Sequence, residues 1–98
     1  MAGYRYLCAG LRLSEKPLAR SANGAILDTF DSPVMEGDSV VFLDETGAEI
    51  WVEVECVIGC KVLGIVYECA GTNLVKPGSP VSVDYKYVED VFHSTVLH

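Results

Sequence analysis

Residues 39–69 read SVVFLDETGAEIWVEVECVIGCKVLGIVYEC, and this stretch decides the fold. It contains three apolar-rich runs separated by short breaks that hold Gly47 and Gly59. Alternation of apolar and polar residues is typical of strands, and a glycine in a short break supplies the positive φ that tight hairpin loops need. The stretch therefore predicts a three-stranded antiparallel meander.

Side chains along a strand point alternately to its two faces, and this two-residue repeat assigns the faces of the three strands. The first run is apolar on both faces from Val40 to Leu43, which predicts a central strand covered on each side. In the second run one face holds Val52, Val54 and Cys56, and the other holds Trp51, Glu53, Glu55 and Val57. In the third run one face holds Leu63, Ile65, Tyr67 and Cys69, and the other holds Val62, Gly64, Val66 and Glu68. A glycine inside a strand favours a bulge or tight bend at Gly64.

Outside the meander the sequence patterns that indicate secondary structure are shorter. Residues 4–13 and 25–30 predict strands, and Ser14 is placed to cap a short helix that ends at Asn23-Gly24. Residues 81–88 predict a final strand whose apolar face is Val81, Val83, Tyr85 and Tyr87. After it, Val88, Val91, Phe92 and Val96 fall at helical offsets, which predicts one or two helical turns near the end.

Ninety-eight residues, half of them hydrophobic, fit one domain over 1–98. Five or six short strands predict an all-β fold, a small and strongly bent antiparallel sheet that forms a partly open SH3-like barrel. The alternative is an α+β arrangement in which an open sheet packs on the single short helix at 14–23.

Charge and apolar runs exclude several classes of protein. The chain has 14 acidic and 7 basic residues and a net charge of −7, which repels a phosphate backbone and argues against nucleic-acid binding. No apolar run approaches the roughly 20 residues of a membrane-spanning helix, and the first residues lack the apolar core of a signal peptide. We therefore expect a soluble cytoplasmic protein with four reduced cysteines and no cofactor. We also expect no metal site, because Cys56 and Cys60 lack the two-residue gap that is usual in zinc and redox motifs.

The run from Gly47 to Val91 includes GAEIWVEV, VLGIV, VKPGSPVSV and YVEDV. This pattern resembles a family of small uncharacterised bacterial β-domains, in which Gly-Glu-x-apolar-Trp-Val is followed by a Gly-led strand, a Gly-Asp turn and an Ile/Val-x-Asp-Ile ending. Glu68 and Ser79 depart from the Asn and Asp of that pattern. The resemblance implies a small β-barrel without an established activity, and proteins of this kind also look like products of mobile gene cassettes.

One candidate binding patch stands out. Trp51, Glu53 and Glu55 share a strand face that Tyr67 or Glu68 could join across the hairpin, and a Trp face flanked by carboxylates attracts cationic groups. The competing interpretation is a solvated sheet face with Trp51 tucked against a neighbouring loop or subunit. A separate possibility is an apolar pocket lined by Tyr67, Tyr85, Tyr87 and Cys69. His93 and His98 have no partner placed by any motif and are interpreted as tail residues.

No nucleophile with a base, no phosphate loop and no catalytic grouping is visible in the chain. The sequence therefore favours a non-enzymatic protein-interaction module that forms a homodimer and docks a basic or neutral protein. The alternative is a small-molecule-binding barrel or modest enzyme that uses the aromatic-lined pocket.

Overall fold

The computed structural model describes residues 3–94, and its regular structure is almost entirely β. The strands are β1 (Arg5–Leu7), β2 (Ala19–Arg20), β3 (Ile26–Leu27), β4 (Ser39–Leu43), β5 (Glu49–Ile58), β6 (Lys61–Cys69), β7 (Pro80–Asp84) and β8 (Val88–Phe92). A 3-10 turn spans Tyr85–Tyr87, and no α-helix occurs among the described residues. The predicted all-β class is confirmed.

Six strands form one sheet in the order β1-β7-β6-β5-β4-β8, and β2 pairs with β3 in a separate two-stranded sheet. All pairings in the large sheet are antiparallel except that of β1, which runs parallel to β7. Within residues 3–94, β1 and β8 are the two edges, so hydrogen bonds do not close the sheet into a complete barrel. The predicted meander corresponds to β4, β5 and β6, and β4 lies between β5 and β8 as its apolar faces require.

The inner face of the large sheet and the β2–β3 hairpin enclose one apolar core. Its largest fully buried side chains are Phe42, Ile26, Ile50, Val40, Val52, Val54, Val62, Val66, Val81, Val83 and Val88. Burying each such side chain stabilises the fold by roughly 1.5–3 kcal/mol. Leu18, Ile26 and Val34 belong to the same cluster, so the segment around the small hairpin covers part of this core.

Two bulges between β5 and β6 change which residues share a face. Val54 pairs with Gly64 and Cys56 with Leu63, which leaves Glu55 as an extra residue. A bulge reverses the alternation beyond it, so Val57, opposite Val62, packs against the core although period two places it outside. The predicted face of Cys56 is wrong for the same reason, because Cys56 lies opposite the outward Leu63. The irregularity predicted near Gly64 is confirmed.

The predicted helix at 14–23 is wrong. The Ser14 hydroxyl accepts a hydrogen bond from Lys16 N at 3.1 Å, which makes a local turn. The Ser21–Gly24 turn then closes the β2–β3 hairpin, with Gly24 at φ 86°. Asn-Gly between two short extended segments is a hairpin signal as well as a helix stop, and here the hairpin forms because it buries Leu18 and Ile26 in the core.

The helical turn predicted after residue 88 is also wrong, because Val88–Phe92 form edge strand β8. Val91 pairs with Val40 and Val88 with Phe42, while Glu89 is an extra residue between them. A bulged strand places residues three apart on one face, and this spacing resembles a helical period. Val96 lies outside the described residues.

Among the described residues, no helix has the length and apolar character needed to cross a membrane. All four cysteines are free thiols; Cys8 is exposed and the other three are partly buried.

Candidate functional site

An aromatic cluster lies on the outer face of the sheet, where β5, β4 and β8 meet. Trp51 is the cross-strand neighbour of Val41, and Phe92 is the neighbour of Ser39, so both rings extend over β4. The two rings stack, with centroids 5.1 Å apart and planes 29° apart. Val41 beneath them is only 5% exposed although it is not part of the inner core, which shows that the cluster covers this side of β4.

Tyr67 completes the cluster from the other side of β5. It is the extra residue of the second bulge, because Trp51 pairs with Glu68 while Val52 pairs with Val66. The phenol reaches across β5 and donates a hydrogen bond to Ser39 Oγ at 3.0 Å. Its ring lies 6.4 Å from that of Trp51 at a tilt of 57°. Tyr67 and Phe92 each remain 47% exposed, so about half of each residue's surface is accessible to solvent.

Carboxylates border these rings. Glu68 lies directly opposite Trp51, and a depression of about 230 Å³ between them is lined by Glu49, Trp51, Glu68 and Ala70. Glu53 lines a second depression, of about 450 Å³, together with Gly37, Ser39 and Tyr67. We call the surface formed by Trp51, Tyr67, Phe92, Glu53 and Glu68 the acidic aromatic face.

A third depression adjoins this face along β5. It has a volume of about 430 Å³ and is lined by Tyr4, Glu36, Gly37, Glu53, Val54, Glu55, Cys56 and Ile65. It shares Glu53 and Gly37 with the second depression, so the two depressions adjoin at these residues. The bulge aims Glu55 at Tyr4, whose hydroxyl donates a hydrogen bond to Glu55 Oε1. That hydrogen bond, to an anionic acceptor, raises the pKa of Tyr4 to about 12.

The five residues proposed from the sequence as a binding patch therefore lie along one side of the β5–β6 hairpin. Four of them belong to the acidic aromatic face, and Glu55 is separated from it by the bulge and by its bond to Tyr4. Phe92 is the member that sequence analysis missed. A strand assignment for residues 88–92 would not have been enough, because plain alternation from a buried Val88 places Phe92 inward, and only the extra residue Glu89 turns it outward.

The alternative pocket does not assemble. Cys69 lies at the end of β6 opposite Ile50, and its thiol contacts Val75 O at 3.7 Å. Tyr85 N donates to Cys60 O at 2.9 Å, which places Tyr85 beyond the other end of β6. Tyr85 and Tyr87 both pack against the core from the 3-10 turn. The structure thus separates Cys69 from Tyr85 by the length of a strand.

A second polar cluster surrounds His93, just beyond β8. Its Nε2 lies 2.5 Å from Asp28 Oδ2 and its Nδ1 lies 2.9 Å from Asp38 Oδ2. The hydrogen bond with Asp28 is the main reason that the pKa of His93 is raised, while the same bond lowers the pKa of Asp28. The interpretation of His93 as a tail residue is therefore wrong; its partners are 65 and 55 residues away, and no local spacing reveals them. His98 lies outside the described residues.

No group of three or more His, Cys, Asp or Glu side chains in residues 3–94 is arranged to hold a metal ion. No family model, curated protein or solved structure matches this chain. The resemblance to small bacterial β-domains therefore stays a prediction, and the site has to be interpreted from its own chemistry.

Proposed function

We propose that the protein is a non-enzymatic interaction module of the cytoplasm, and that its acidic aromatic face docks a cationic segment of a partner protein. The observation that supports this most directly is the stacked Trp51–Phe92 pair with Glu68 directly across the strand from Trp51. An ammonium or guanidinium group over such a ring gains cation–π and Coulomb attraction together. The net charge of −7 favours approach of a basic segment from a distance.

The two adjoining depressions support an elongated ligand. One is lined by Ser39, Tyr67 and Glu53 and the other by Glu53, Glu55 and Tyr4, so the Glu53 carboxylate borders both. Trp51 and Glu53 are two residues apart on β5, before the Glu55 bulge, which corresponds to about 6.6 Å along the strand. A segment with several Lys or Arg residues could therefore place one cation at the rings and another beside Glu53.

A titration with a short lysine- and arginine-rich peptide, followed by ¹H–¹⁵N NMR and calorimetry, tests this proposal. We expect shifts at Trp51, Tyr67 and Phe92 and an affinity that falls as salt rises. Trp51→Ala should weaken binding about five- to tenfold, the equivalent of roughly 1 kcal/mol or slightly more.

The charge requirement has its own control. Glu53→Gln with Glu68→Gln should weaken binding of the same peptide several-fold, whereas Glu15→Gln with Glu45→Gln removes equal charge from exposed residues elsewhere and should have little effect. Equal weakening by both pairs, or shifts centred away from β5, would show that the peptide senses only net charge and would overturn the proposal.

Self-association through this face is the second candidate, because the half-exposed rings of Tyr67 and Phe92 are apolar surface that a second copy could cover. A twofold contact would bring Glu53 and Glu68 of two copies close together, and like charges oppose it. The predicted homodimer should therefore form more readily at high salt. Light scattering after size-exclusion chromatography measures this, and a monomer at both low and high salt and at high protein concentration would remove the homodimer.

A further inference from the structure

We propose that His93 with both ring nitrogens protonated is a latch that fastens the end of β8 to Asp28 and Asp38, and that loss of one proton loosens Phe92 from Trp51. This inference concerns regulation of the acidic aromatic face, and its biological meaning rests on the proposed function. The latch itself can be measured without any partner.

The geometry requires two donors from the imidazole ring. Nε2 and Nδ1 each face a carboxylate oxygen, at 2.5 Å and 2.9 Å. A carboxylate only accepts hydrogen bonds when ionised, and a neutral imidazole has one N–H and one lone pair. Deprotonation therefore turns one of the two hydrogen bonds into a contact between a lone pair and an anionic oxygen.

The two carboxylates are held in place by other groups. Asp28 Oδ1 accepts from Phe30 N and Ser32 N, both at 2.8 Å. Asp38 Oδ2 accepts from Met35 N at 2.9 Å, and the Asp38 backbone oxygen accepts from Val54 N at 2.8 Å. Both aspartates are more than nine-tenths buried, whereas the side chain of His93 is 38% exposed. When the latch opens, the segment that moves is therefore the one that carries His93.

The charged groups that face His93 come from two elements. Asp28 follows β3, and Asp38 precedes β4. On the histidine's own strand, Asp90 accepts a hydrogen bond from its neighbour Val91 N at 2.8 Å, so its carboxylate is engaged there. In agreement with this arrangement, the pKa of His93 lies above its ordinary value of 6.5, mainly through Asp28. The latch is therefore closed below pH 6.5 and opens as the pH rises through the raised pKa of His93.

Phe92 is the residue directly before the latch. It lies at the end of edge strand β8, which has a hydrogen-bonded neighbour only in β4 within the described residues. Beyond it, the chain is fastened by His93 and by Ser94 N, which donates to Asp38 Oδ1 at 2.9 Å. Edge strands fray from their ends, so weakening this attachment acts first on Phe92 and its stacking on Trp51.

The test uses Trp51, the only tryptophan in the chain, as a reporter. We expect its emission to shift to the red with one inflection above pH 6.5, and the ring signals of His93 in NMR to titrate with the same midpoint. His93→Gln should abolish the inflection, and His98→Gln, which removes the other histidine, should leave it unchanged. Asp28→Asn should lower the midpoint, and it provides a second variant should one of the others fail to fold.

Two results would overturn the latch. One is a His93 titration at or below its ordinary pKa of 6.5 in the folded protein, and the other is a His93 titration that leaves the Trp51 and Phe92 signals unmoved. Affinity for the basic peptide is then compared below and above the midpoint, and we expect it to fall with the latch open. A Trp51 shift without any peptide binding at either pH would reject the proposed function and leave the latch standing.

Discussion

Gly64 in β6 lies against the backbone of Glu53 in β5 so closely that a β-carbon at Gly64 would be 2.0 Å from the Glu53 carbonyl oxygen. Such an approach leaves no room for any side chain, and the obstacle is backbone that cannot move aside. The contact lies beside the Glu55 bulge and brings the two longest strands close together.

Gly64→Ala should therefore lower the free energy of unfolding by about 3 kcal/mol or more, because overpacking against backbone forces the strands apart. Denaturant unfolding followed by circular dichroism measures the loss. Gly3→Ala is the matched control, since a β-carbon at Gly3 meets nothing within 4 Å. Equal stability of the two variants would show that the strands separate at little cost.

The Glu55 bulge places Val57 against the core and leaves Ile58 62% exposed. Val57→Ala should lower the free energy of unfolding by about 1–2 kcal/mol, whereas Ile58→Ala should change it by less than about 0.5 kcal/mol. Chemical denaturation of both variants provides the comparison. If Ile58→Ala were the more harmful, the strand would have the opposite register beyond the bulge.

Asp44 stabilises the β4–β5 turn by accepting hydrogen bonds at Oδ1 from Thr46 Oγ1 at 2.6 Å, Thr46 N at 2.8 Å and Ala48 N at 3.0 Å. The hydrogen bond from the Thr46 side chain is the largest cause that lowers the pKa of Asp44 from 3.8 to about 2. A carboxyl whose folded pKa is depressed contributes stability above its unfolded pKa, and this contribution is lost as pH falls toward the folded value.

Asp44→Asn should therefore lower the thermal midpoint at neutral pH and flatten its decline between about pH 4 and pH 2. Thermal unfolding followed by circular dichroism at several acidic pH values measures both effects. Glu45→Gln, an exposed neighbour in the same turn, should keep the wild-type profile. Identical acid profiles for Asp44→Asn and the wild type would contradict this role of the Asp44 carboxylate.

Tyr4 and Glu55 give a prediction at alkaline pH. With its pKa raised from 10.0 to about 12, the Tyr4 phenol should remain mostly protonated at a pH between these values. In Glu55→Ala the loss of the anionic acceptor should leave it mostly ionised at the same pH. Ultraviolet difference spectra measure the ionised tyrosine, with Tyr4→Phe to assign the signal and Glu53→Ala as control. An unchanged spectrum in Glu55→Ala would show that the carboxylate does not set this pKa.

The meander was predictable because its signals are local. Alternating residues and a glycine in each break lead directly to β4, β5 and β6, and apolar residues on both faces of residues 40–43 indicated a central strand. The two wrong helix predictions have the same kind of cause, because one local pattern is compatible with two structures. At residues 14–24 the ambiguous signal is Asn-Gly, which both ends helices and closes hairpins. At residues 88–92 it is the spacing of the apolar residues, because a helix and a bulged strand both place residues three apart on one face. Each segment was ambiguous until its pairing partner was known.

The acidic aromatic face was predictable only in part. Trp51, Glu53 and Glu68 come from two strands of one hairpin, whose register follows from its turn. Phe92 comes from β8, which joins the sheet only through its pairing with β4. The pocket of Tyr85 and Cys69 did not form because alternation assigns only a face, and the antiparallel pairing of β6 and β7 places these two residues at opposite ends of the strand pair.

By itself, the sequence determined the class of fold, the central hairpins and the acidic character of the surface, because composition, alternation and turn residues act between near neighbours. Tertiary structure alone decided where the bulges fall, which strand lies beside β4 and that His93 lies between Asp28 and Asp38. These features depend on packing and hydrogen bonds between segments that are distant along the chain. Their free energy exists only once the whole sheet has formed around its core.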